Sequence, residues 1–456
     1  MSTTVTTANR WAIAGAGTLV MICLGTVYSW SSFTQPLLAA YGWSSTTTSW
    51  AFAIAIFALG WGAVTGGRLL SRYGARAVTI AGVVSWGLGV LLAGLGTTEF
   101  GAPWLYLTYG VIGGFGNGMA YIVPVAAVTK WFPDRRGLAS GMVVMGFGLG
   151  AFLYSLILKA IPAFADLAHA AARYADAQSA ALKAHASFER AAYALSGDQI
   201  AAIMTIFVVS GIVYAIVGGI AATFIVEPPE GYGLAPEGTT PAAAPAVPAR
   251  VAADGYRPGE ALRTPQFWLL WTMLFLNVTA GILIISNAVP IIRELTGATA
   301  GAAVLLYGLL AIFNGLGRFF WGAVSDRIGR NLAFAAIFGL QAIVFFVLTG
   351  LHSIGAVAVA FAIVLLCYGG GFGTMPSFNA DFFGTRYLGL NYGMILTAWG
   401  FGGIVGPIVA AKVKDATGSY AGALVPVAIM LLVATILPFV TKKPAAAPHA
   451  AGRLAA

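Results

Sequence analysis

The stretch GAVSDRIGR, residues 322–330, is a short charged segment that separates two long apolar runs. A related stretch, GRLLSRYG at residues 67–74, lies 255 positions earlier and repeats the spacing of its glycines and of one arginine. Further matches at an offset of 252 pair Pro124 with Pro376 and Gly141 with Gly393. The chain therefore contains an internal repeat, with one copy of the charged loop in each half.

Around these two loops the chain is strongly apolar. Of its 456 residues 59% are apolar and 9% are charged, whereas soluble domains carry about 25% charged residues. This composition excludes an ordinary water-soluble enzyme. The net charge of +9 is interpreted as Lys and Arg retained on one side of a membrane, not as a nucleic-acid surface.

Apolar runs of spanning length number six in each half of the chain. The predicted spans are residues 11–38, 46–70, 77–97, 103–129, 138–162 and 200–226, then 266–291, 300–325, 332–350, 354–380, 388–411 and 421–441. They predict an all-α membrane fold of twelve transmembrane helices in two pseudo-symmetric six-helix bundles. Because corresponding spans run in the same direction, the repeat is parallel about an axis normal to the membrane.

The distribution of positive charge predicts the orientation. With the N-terminus inside, sixteen of the 24 Lys and Arg residues are cytoplasmic, seven are external, and Arg318 lies within the membrane. This bias predicts that both termini are cytoplasmic. We expect a monomer in a bacterial-type inner (plasma) membrane, with the lipid bilayer as its surroundings.

The same pattern divides the chain into segments. We expect an N-terminal tail (1–10), an N-terminal bundle (11–226), a linker (227–264), a C-terminal bundle (265–441) and a C-terminal tail (442–456). The linker is rich in Pro, Ala and Gly and is predicted to be flexible. Residues 163–199 are Ala-rich with scattered charges, which predicts a helical hairpin or a long amphipathic helix outside the membrane. A solvated insertion is favoured over a docking site for a partner.

Several motifs resemble known transporter families. The pattern at residues 322–330 is similar to the loop signature of the major facilitator superfamily, and this resemblance covers the whole chain. Three further stretches, YSW (28–30), WFPDRRGLASG (131–141) and LRTPQFW (262–268), resemble the oxalate/formate antiporter family and its monocarboxylate transporter relatives. The resemblance implies a twelve-helix transporter of small carboxylate anions.

The two repeated loops are predicted to gate the cytoplasmic ends of the helices through charge pairing. The residues assigned to this role are Gly67, Arg72, Gly74, Gly322, Asp326, Arg327, Gly329 and Arg330. In the first loop Ser71 stands where the family signature has Asp, which removes that carboxylate from the first half.

Arg318 is the charge on which the function depends. None of the fifteen acidic residues lies at mid-depth of a predicted span. Arg318 precedes Asp326 by eight residues, which places it about 12 Å along a helix from the cytoplasmic surface. A centred Arg costs about 2.5–3.5 kcal/mol on insertion scales, so it should face a wet cavity.

Two interpretations of Arg318 remain open at this point. Backbone carbonyls and polar neighbours could satisfy the guanidinium, or an anionic substrate could be its missing partner. We favour the substrate because a guanidinium matches a carboxylate bidentately and keeps its charge. The family resemblance implies the same role, since an Arg on the eighth span is the carboxylate-binding residue there.

Aromatic residues are predicted to surround Arg318. Helix rise places five of them at its depth, with a sixth in the outer part of the first span. They are Tyr121, Phe147, Tyr368, Phe372 and Trp399, with Tyr28. A single aromatic in a span more often packs or faces lipid, but the agreement of five favours a cage for an anion with an apolar body. Asn314, one turn before Arg318, is predicted to donate to the carboxylate.

These residues predict a secondary active transporter of monocarboxylates of the lactate, pyruvate or formate type, by alternating access with anion exchange or proton coupling. Trp399 aligns with the second cation of the oxalate-handling branch, so one positive charge disfavours a dianion. An oxalate/formate antiporter is the alternative, and a non-transporting carboxylate sensor is a rival of another class. We expect no enzymatic activity, cofactor, metal site or nucleic-acid partner; a proton co-substrate stays open.

Overall fold

The computed structural model describes residues 9–183, 187–229, 232, 255–417, 419 and 421–444. Most of the predicted N-terminal tail (1–10), most of the predicted linker (227–264) and most of the C-terminal tail (442–456) lie outside the described residues.

Helices form nearly all of the described chain. The first half contains α1 (Arg10–Gly25), α2 (Ser31–Tyr41), α3 (Ser45–Leu105), α4 (Gly114–Trp131), α5 (Arg136–Ala160), α6 (Pro162–Lys183), α7 (Gly197–Val213) and α8 (Gly219–Ala222). The second half contains α9 (Pro258–Ala261), α10 (Pro265–Thr296), α11 (Ala300–Leu310), α12 (Ile312–Ile328), α13 (Arg330–Leu348), α14 (Ile354–Phe383), α15 (Leu388–Ile395), α16 (Thr397–Thr417), α17 (Leu424–Ala434) and α18 (Leu437–Val440). The all-helical prediction is confirmed for the residues that the structure describes.

Within this part of the chain, nine apolar helical segments are long enough to cross a membrane, and a shorter apolar segment covers Leu424–Val440. One of the nine, Thr46–Trp131, has 86 residues. At about 1.5 Å per residue, a straight helix of that length would far exceed a hydrocarbon core of about 30 Å. The helix is interrupted at Gly74 and Gly101, which have φ angles of +77° and +70°.

The two charged loops adopt related backbones. Gly74 has a φ of +77° and Gly329 has a φ of +88°. A residue with a Cβ atom is strained in this region, so glycine is required where each chain turns into the next helix. The sequence repeat is thus also a repeat of local conformation.

The two halves meet along two equivalent helix pairs. A Cβ atom added at Gly141 of α5 would lie 2.5 Å from the carbonyl oxygen of Arg318 on α12. A Cβ atom added at Gly393 of α15 would lie 2.5 Å from the carbonyl oxygen of Ala63 on α3. These contacts occupy corresponding positions of the repeat, so the same glycine-mediated approach is used twice.

Both described ends of the chain lie at one end of the molecule, with the two charged loops; we call it the latch end. Arg10 forms a 2.9 Å ion pair with Asp134, which lies between α4 and α5. At the other terminus, Asn331 Nδ2, which follows the second loop, donates to the carbonyl oxygen of Thr441 at 2.8 Å. The chain therefore begins its first half and ends its second half on the same side of the molecule.

The insertion at residues 163–199 contains one long helix, α6, and a short 3-10 turn at Arg190–Tyr193. Its buried residues recur every three or four positions and include Phe164, Leu167 and Tyr174. The ring of Phe164 packs 5.8 Å from that of Phe33 on α2. Of the two forms expected, the described residues show the amphipathic helix, and its apolar face is covered by the chain itself.

Candidate functional site

Arg318 lies on α12, the helix that packs against α5 of the other half. Its side chain is fully buried, with an exposed fraction of 0%. Its Nε atom donates a long hydrogen bond of 3.4 Å to Asn314 Oδ1. Neither Nη1 nor Nη2 has a hydrogen-bond partner among the described residues, and none of the ion pairs found there includes Arg318. The hydroxyl groups of Tyr28 and Tyr121 interact with the guanidinium, but no described residue accepts a hydrogen bond of normal geometry from its two outer nitrogens.

Close helix packing fixes the position of this arginine. Gly141 of α5 and Gly373 of α14 both lie against the carbonyl oxygen of Arg318. This close approach is possible because neither glycine carries a Cβ atom. Such close approach is typical of small residues at helix interfaces within membranes. The backbone of Arg318 is thus held between the two halves.

Two aromatic rings lie close to the guanidinium. Its central carbon is 4.7 Å from the ring centre of Phe372 and 5.2 Å from that of Phe147. These distances suit cation–π attraction, which stabilises a desolvated cation by about 2 kcal/mol. The rings partly compensate the buried charge but provide no hydrogen-bond acceptor for its N–H groups.

The other predicted aromatics complete the cage around this pair. The ring of Trp399 lies 4.6 Å from Phe372, 5.3 Å from Phe147 and 5.5 Å from Tyr121. At one side the hydroxyl groups of Tyr28 and Tyr368 are 2.7 Å apart. The structure thus brings all six predicted aromatics together with Arg318, three from each half. Tyr28 is partly exposed, while the other five are buried.

Three neutral hydrogen-bond donors in or beside the cage have no partner among the described residues. They are the hydroxyl groups of Tyr121 and Tyr392 and the indole Nε1 of Trp399. Buried polar groups in native proteins usually have partners, so such a cluster is a candidate ligand-binding site. Sequence reasoning missed Tyr392. It precedes Trp399 by seven residues, nearly two helical turns, and this spacing could have found it.

The structure shows which hydrogen bonds the polar side chains near Arg318 form. Asn314 accepts from Arg318, so it orients the guanidinium; a bond from its amide nitrogen to a ligand stays a prediction. Asn277 Nδ2 donates to the carbonyl oxygen of Tyr368 at 3.0 Å, and Gln341 Nε2 donates to Asn277 Oδ1 at 2.9 Å. These two side chains join neighbouring helices behind the cage. Asn287 instead donates to Leu283 on its own helix.

At the latch end a charged network joins the halves. Asp381 at the end of α14 binds Arg136 of the first half at 3.0 Å and Arg330 of the second half at 2.9 Å. Arg330 also pairs with Asp326 at 2.7 Å. The two oxygens of Asp326 accept from the backbone N–H groups of Gly137 and Leu138 at 2.9 and 2.8 Å. A carboxylate is favourable there because α5 begins at this point and its first N–H groups lack helical acceptors.

The first loop has no such carboxylate. Ser71 Oγ donates to the carbonyl oxygen of Arg68 at 3.0 Å, within its own helix. The guanidinium of Arg72 lies 5.2 Å from the ring of its neighbour Tyr73, and Arg327 of the second loop is exposed. Glycine contacts remain in both loops, since Gly67 packs on Gly389 and Gly322 packs on Gly137.

The sequence did not identify Asp381 and Arg136 as partners in this network. Arg136 was visible only as part of the quoted motif at residues 131–141, and Asp381 served only as a marker of depth. The signal available was an acid at the end of one predicted span and a base at the start of another. Nothing in the sequence showed that these two ends meet.

Comparison with known proteins agrees with this architecture. The family profile described as Major Facilitator Superfamily matches residues 16–407 and again 280–454. The chain belongs to the Major Facilitator Superfamily. It is therefore a multi-pass membrane protein of a transporter family, not an enzyme.

Within this superfamily the chain is similar to several carboxylate-related proteins. It is 29% identical over 414 residues to the oxalate:formate antiporter of Oxalobacter formigenes, covering 89% of this chain and 86% of that protein. It is 27% identical over 454 residues to apicoplast pyruvate carrier 1 of Toxoplasma gondii, covering 83% and 79%. A shorter match of 138 residues at 28% identity, covering 30% and 32%, links it to monocarboxylate transporter 13 of Bos taurus. The resemblance to these families is confirmed.

Solved structures of the superfamily share the fold. The fucose:proton symporter FucP of E. coli superposes with a TM-score of 0.65 at 17% identity, covering 94% of this chain and 98% of that one. At this identity the likeness establishes the helical architecture alone.

Proposed function

We propose that this protein is a secondary active transporter of small monocarboxylates and that Arg318 binds the carboxylate group of its substrate. The observation that carries the proposal is the buried guanidinium whose two outer nitrogens lack acceptors among the described residues. A carboxylate can accept both N–H groups in a bidentate pair. The relatives named for oxalate, formate and pyruvate support the same substrate class.

The cage supports a monocarboxylate in preference to a dianion. Arg318 is the only cation in the described cage, and Phe147, Phe372 and Trp399 form its walls. A second carboxylate would meet aromatic surface without a compensating positive charge, and burying an unpaired charge is costly. Oxalate:formate exchange remains the second candidate, and the named antiporter is the observation that favours it.

For the topology we propose twelve spans with both termini in the cytoplasm. The breaks at Gly74 and Gly101 divide the longest apolar segment into three pieces, and the segment 424–440 adds the last span. The latch end would then be cytoplasmic, as the distribution of Lys and Arg requires. We also propose that the protein acts as a monomer in a bacterial-type inner membrane.

The mechanism we propose is alternating access around Arg318. In the described conformation the latch end is closed by the Asp326 and Asp381 network and by the glycine contacts between halves. Substrate binding neutralises the buried guanidinium, which lowers the free energy of the closed, loaded state. An unloaded carrier keeps an unpaired cation, which favours anion exchange unless a proton accompanies the substrate. Proton coupling would require a titratable acid near the substrate. Glu294 lies outside the cage, where its carboxylate accepts a hydrogen bond from Ser419, so we do not assign it this role.

The test is Arg318→Gln, with transport measured as counterflow of labelled lactate, formate and oxalate into proteoliposomes, with and without a pH gradient. Loss of the charge should reduce carboxylate uptake by at least about a hundredfold, since a charged bidentate pair contributes about 3 kcal/mol. Exposed Arg263→Gln is the matched control and should transport normally.

Carboxylate uptake at the wild-type rate by Arg318→Gln would refute the proposed role of Arg318. Substrate binding by the wild-type protein without any flux would instead support the sensor alternative. A requirement for a pH gradient would distinguish proton coupling from exchange.

A further inference from the structure

Tyr392 is a buried tyrosine at the interface between the halves, and no pattern in the sequence assigned it to the site. It lies on α15 with an exposed fraction of 0%, and its neighbour Gly393 packs on the carbonyl oxygen of Ala63 in the other half. Its hydroxyl group interacts electrostatically with Tyr121 and with Arg318. Its contact with the hydroxyl group of Tyr121 does not have the geometry of a normal hydrogen bond, so the Tyr392 hydroxyl group has no well-formed partner among the described residues.

The lack of a hydrogen bond is costly at this position. A buried donor without a well-formed partner destabilises a folded protein. Tyr121 on the opposite half and Trp399 on α16 are in the same situation. Three neutral donors near one guanidinium therefore lack a well-formed hydrogen bond, and the two hydroxyl groups both interact electrostatically with Arg318.

We propose that Tyr392, with Tyr121 and Trp399, binds an uncharged oxygen of the substrate, so that the preferred substrates are monocarboxylates with an adjacent hydroxyl or keto group. This inference rests on the proposed carboxylate transport through Arg318. The two Nη atoms of Arg318 suit the charged carboxylate, while neutral N–H and O–H donors suit a hydroxyl or keto oxygen. Formate has no oxygen outside its carboxylate group. Oxalate would place a second negative charge beside these neutral donors, where no further cation of the described cage compensates it.

The preference for substrates with a hydroxyl or keto oxygen follows from the donors that stay unpaired when this oxygen is missing. A site that hydrogen-bonds a substrate oxygen rejects the analogue without it, because the buried groups of the site then stay unpaired. Tyr392 would thus be a specificity-determining residue, whereas Arg318 supplies the affinity that all carboxylates share.

The experiment compares lactate with propionate, which differ by one hydroxyl group. Affinities are measured by isothermal titration calorimetry on the purified full-length protein, for wild type and Tyr392→Phe. Wild type should prefer lactate. Tyr392→Phe should lower lactate affinity about five- to tenfold, as expected for one neutral hydrogen bond, and leave propionate affinity unchanged.

The matched control is Tyr109→Phe. Tyr109 is also buried, but its hydroxyl group donates a weak 3.5 Å bond to the carbonyl oxygen of Val27 inside the first half. This variant should keep the lactate preference of wild type.

Equal lactate-to-propionate ratios in wild type and Tyr392→Phe would overturn the inference. A wild-type ratio near one would overturn it as well, even if the variant did not fold. Either result would leave the proposed function intact provided that both acids still bind through Arg318. Wild-type protein that binds neither acid would instead overturn the proposed function.

Discussion

Arg318 and Trp399 are the two residues that we propose determine which charges the cage accepts. Arg318 has two outer nitrogens without a well-formed hydrogen bond, while Trp399 contributes a ring that contacts Phe147 and Phe372. Phe147 and Trp399 occupy corresponding positions of the repeat, so two equivalent residues meet at the centre of the molecule. Replacing either ring with a charged side chain would therefore change the charge of the cage.

At this scale we predict that Trp399→Lys increases the affinity for oxalate about tenfold relative to lactate. The new ammonium group would provide the second carboxylate with a charge-assisted partner, which contributes about 1.5–3 kcal/mol. The measurement is calorimetric binding of both anions. Trp399→Met is the control, because it removes the ring without adding charge. Equal oxalate affinity in these two variants would contradict the prediction.

At the scale of helices, glycines determine how closely two neighbouring helices pack. The helices α5 and α12 approach so closely that a Cβ atom at Gly141 would lie 2.5 Å from a backbone oxygen of Arg318. This is shorter than any relaxed contact between such atoms, so one helix would have to move. Because the contact includes the backbone of Arg318, movement of α5 also moves the site.

Gly141→Ala should therefore destabilise the protein by about 1–3 kcal/mol, as expected for overpacking. Thermal unfolding in detergent measures this effect as a lower midpoint temperature, and carboxylate counterflow should fall with it.

Gly15→Ala in α1 is the matched control, since nothing lies within 4 Å of a Cβ atom added at Gly15. That substitution should leave stability unchanged or raise it slightly, because alanine is the better helix former. Equal unfolding temperatures for the two variants would show that the close contact is relaxed in solution.

At the scale of the whole molecule, the two charged loops contribute differently to the contacts at the latch end. The second loop supplies Asp326 to a network that crosses between halves, while Ser71 in the first loop bonds only within its own helix. Closure of the latch end therefore depends on one charged contact region supported by two glycine-lined helix pairs. Asp381 is central because it binds an arginine from each half.

Asp381→Asn should shift the population towards conformations with an open latch end, by about tenfold for a loss of about 1.4 kcal/mol. A cysteine at Ser377 can report this opening, because Ser377 is buried and lies 3.0 Å from Ser140 of the other half. The reporter requires replacement of the buried native cysteines, Cys23 and Cys367. The rate of thiol labelling at Ser377→Cys should rise in the Asp381→Asn background.

Glu99→Gln, an exposed acid outside this network, is the control for lost negative charge and should not change labelling. Unchanged labelling in Asp381→Asn would show that the glycine contacts alone keep the latch end closed.

Much of this description could be predicted from the sequence. Continuous apolar runs of about 20 residues indicate membrane-spanning helices, because a helix satisfies all of its backbone groups within the segment. Helix rise then predicted a common depth for Arg318 and the aromatic residues, and the repeat indicated which helices correspond. These are one-dimensional properties, so spacing alone was sufficient.

The tertiary structure decided what spacing could not. Tyr392 joins the cage and Asp381 bridges Arg136 and Arg330 only because helices distant in sequence pack side by side. Asn314 proved to accept from Arg318, which depends on the rotation of both side chains on one helix. Hydrogen bonding depends on distances and angles between atoms, and a sequence specifies those only after its helices have packed.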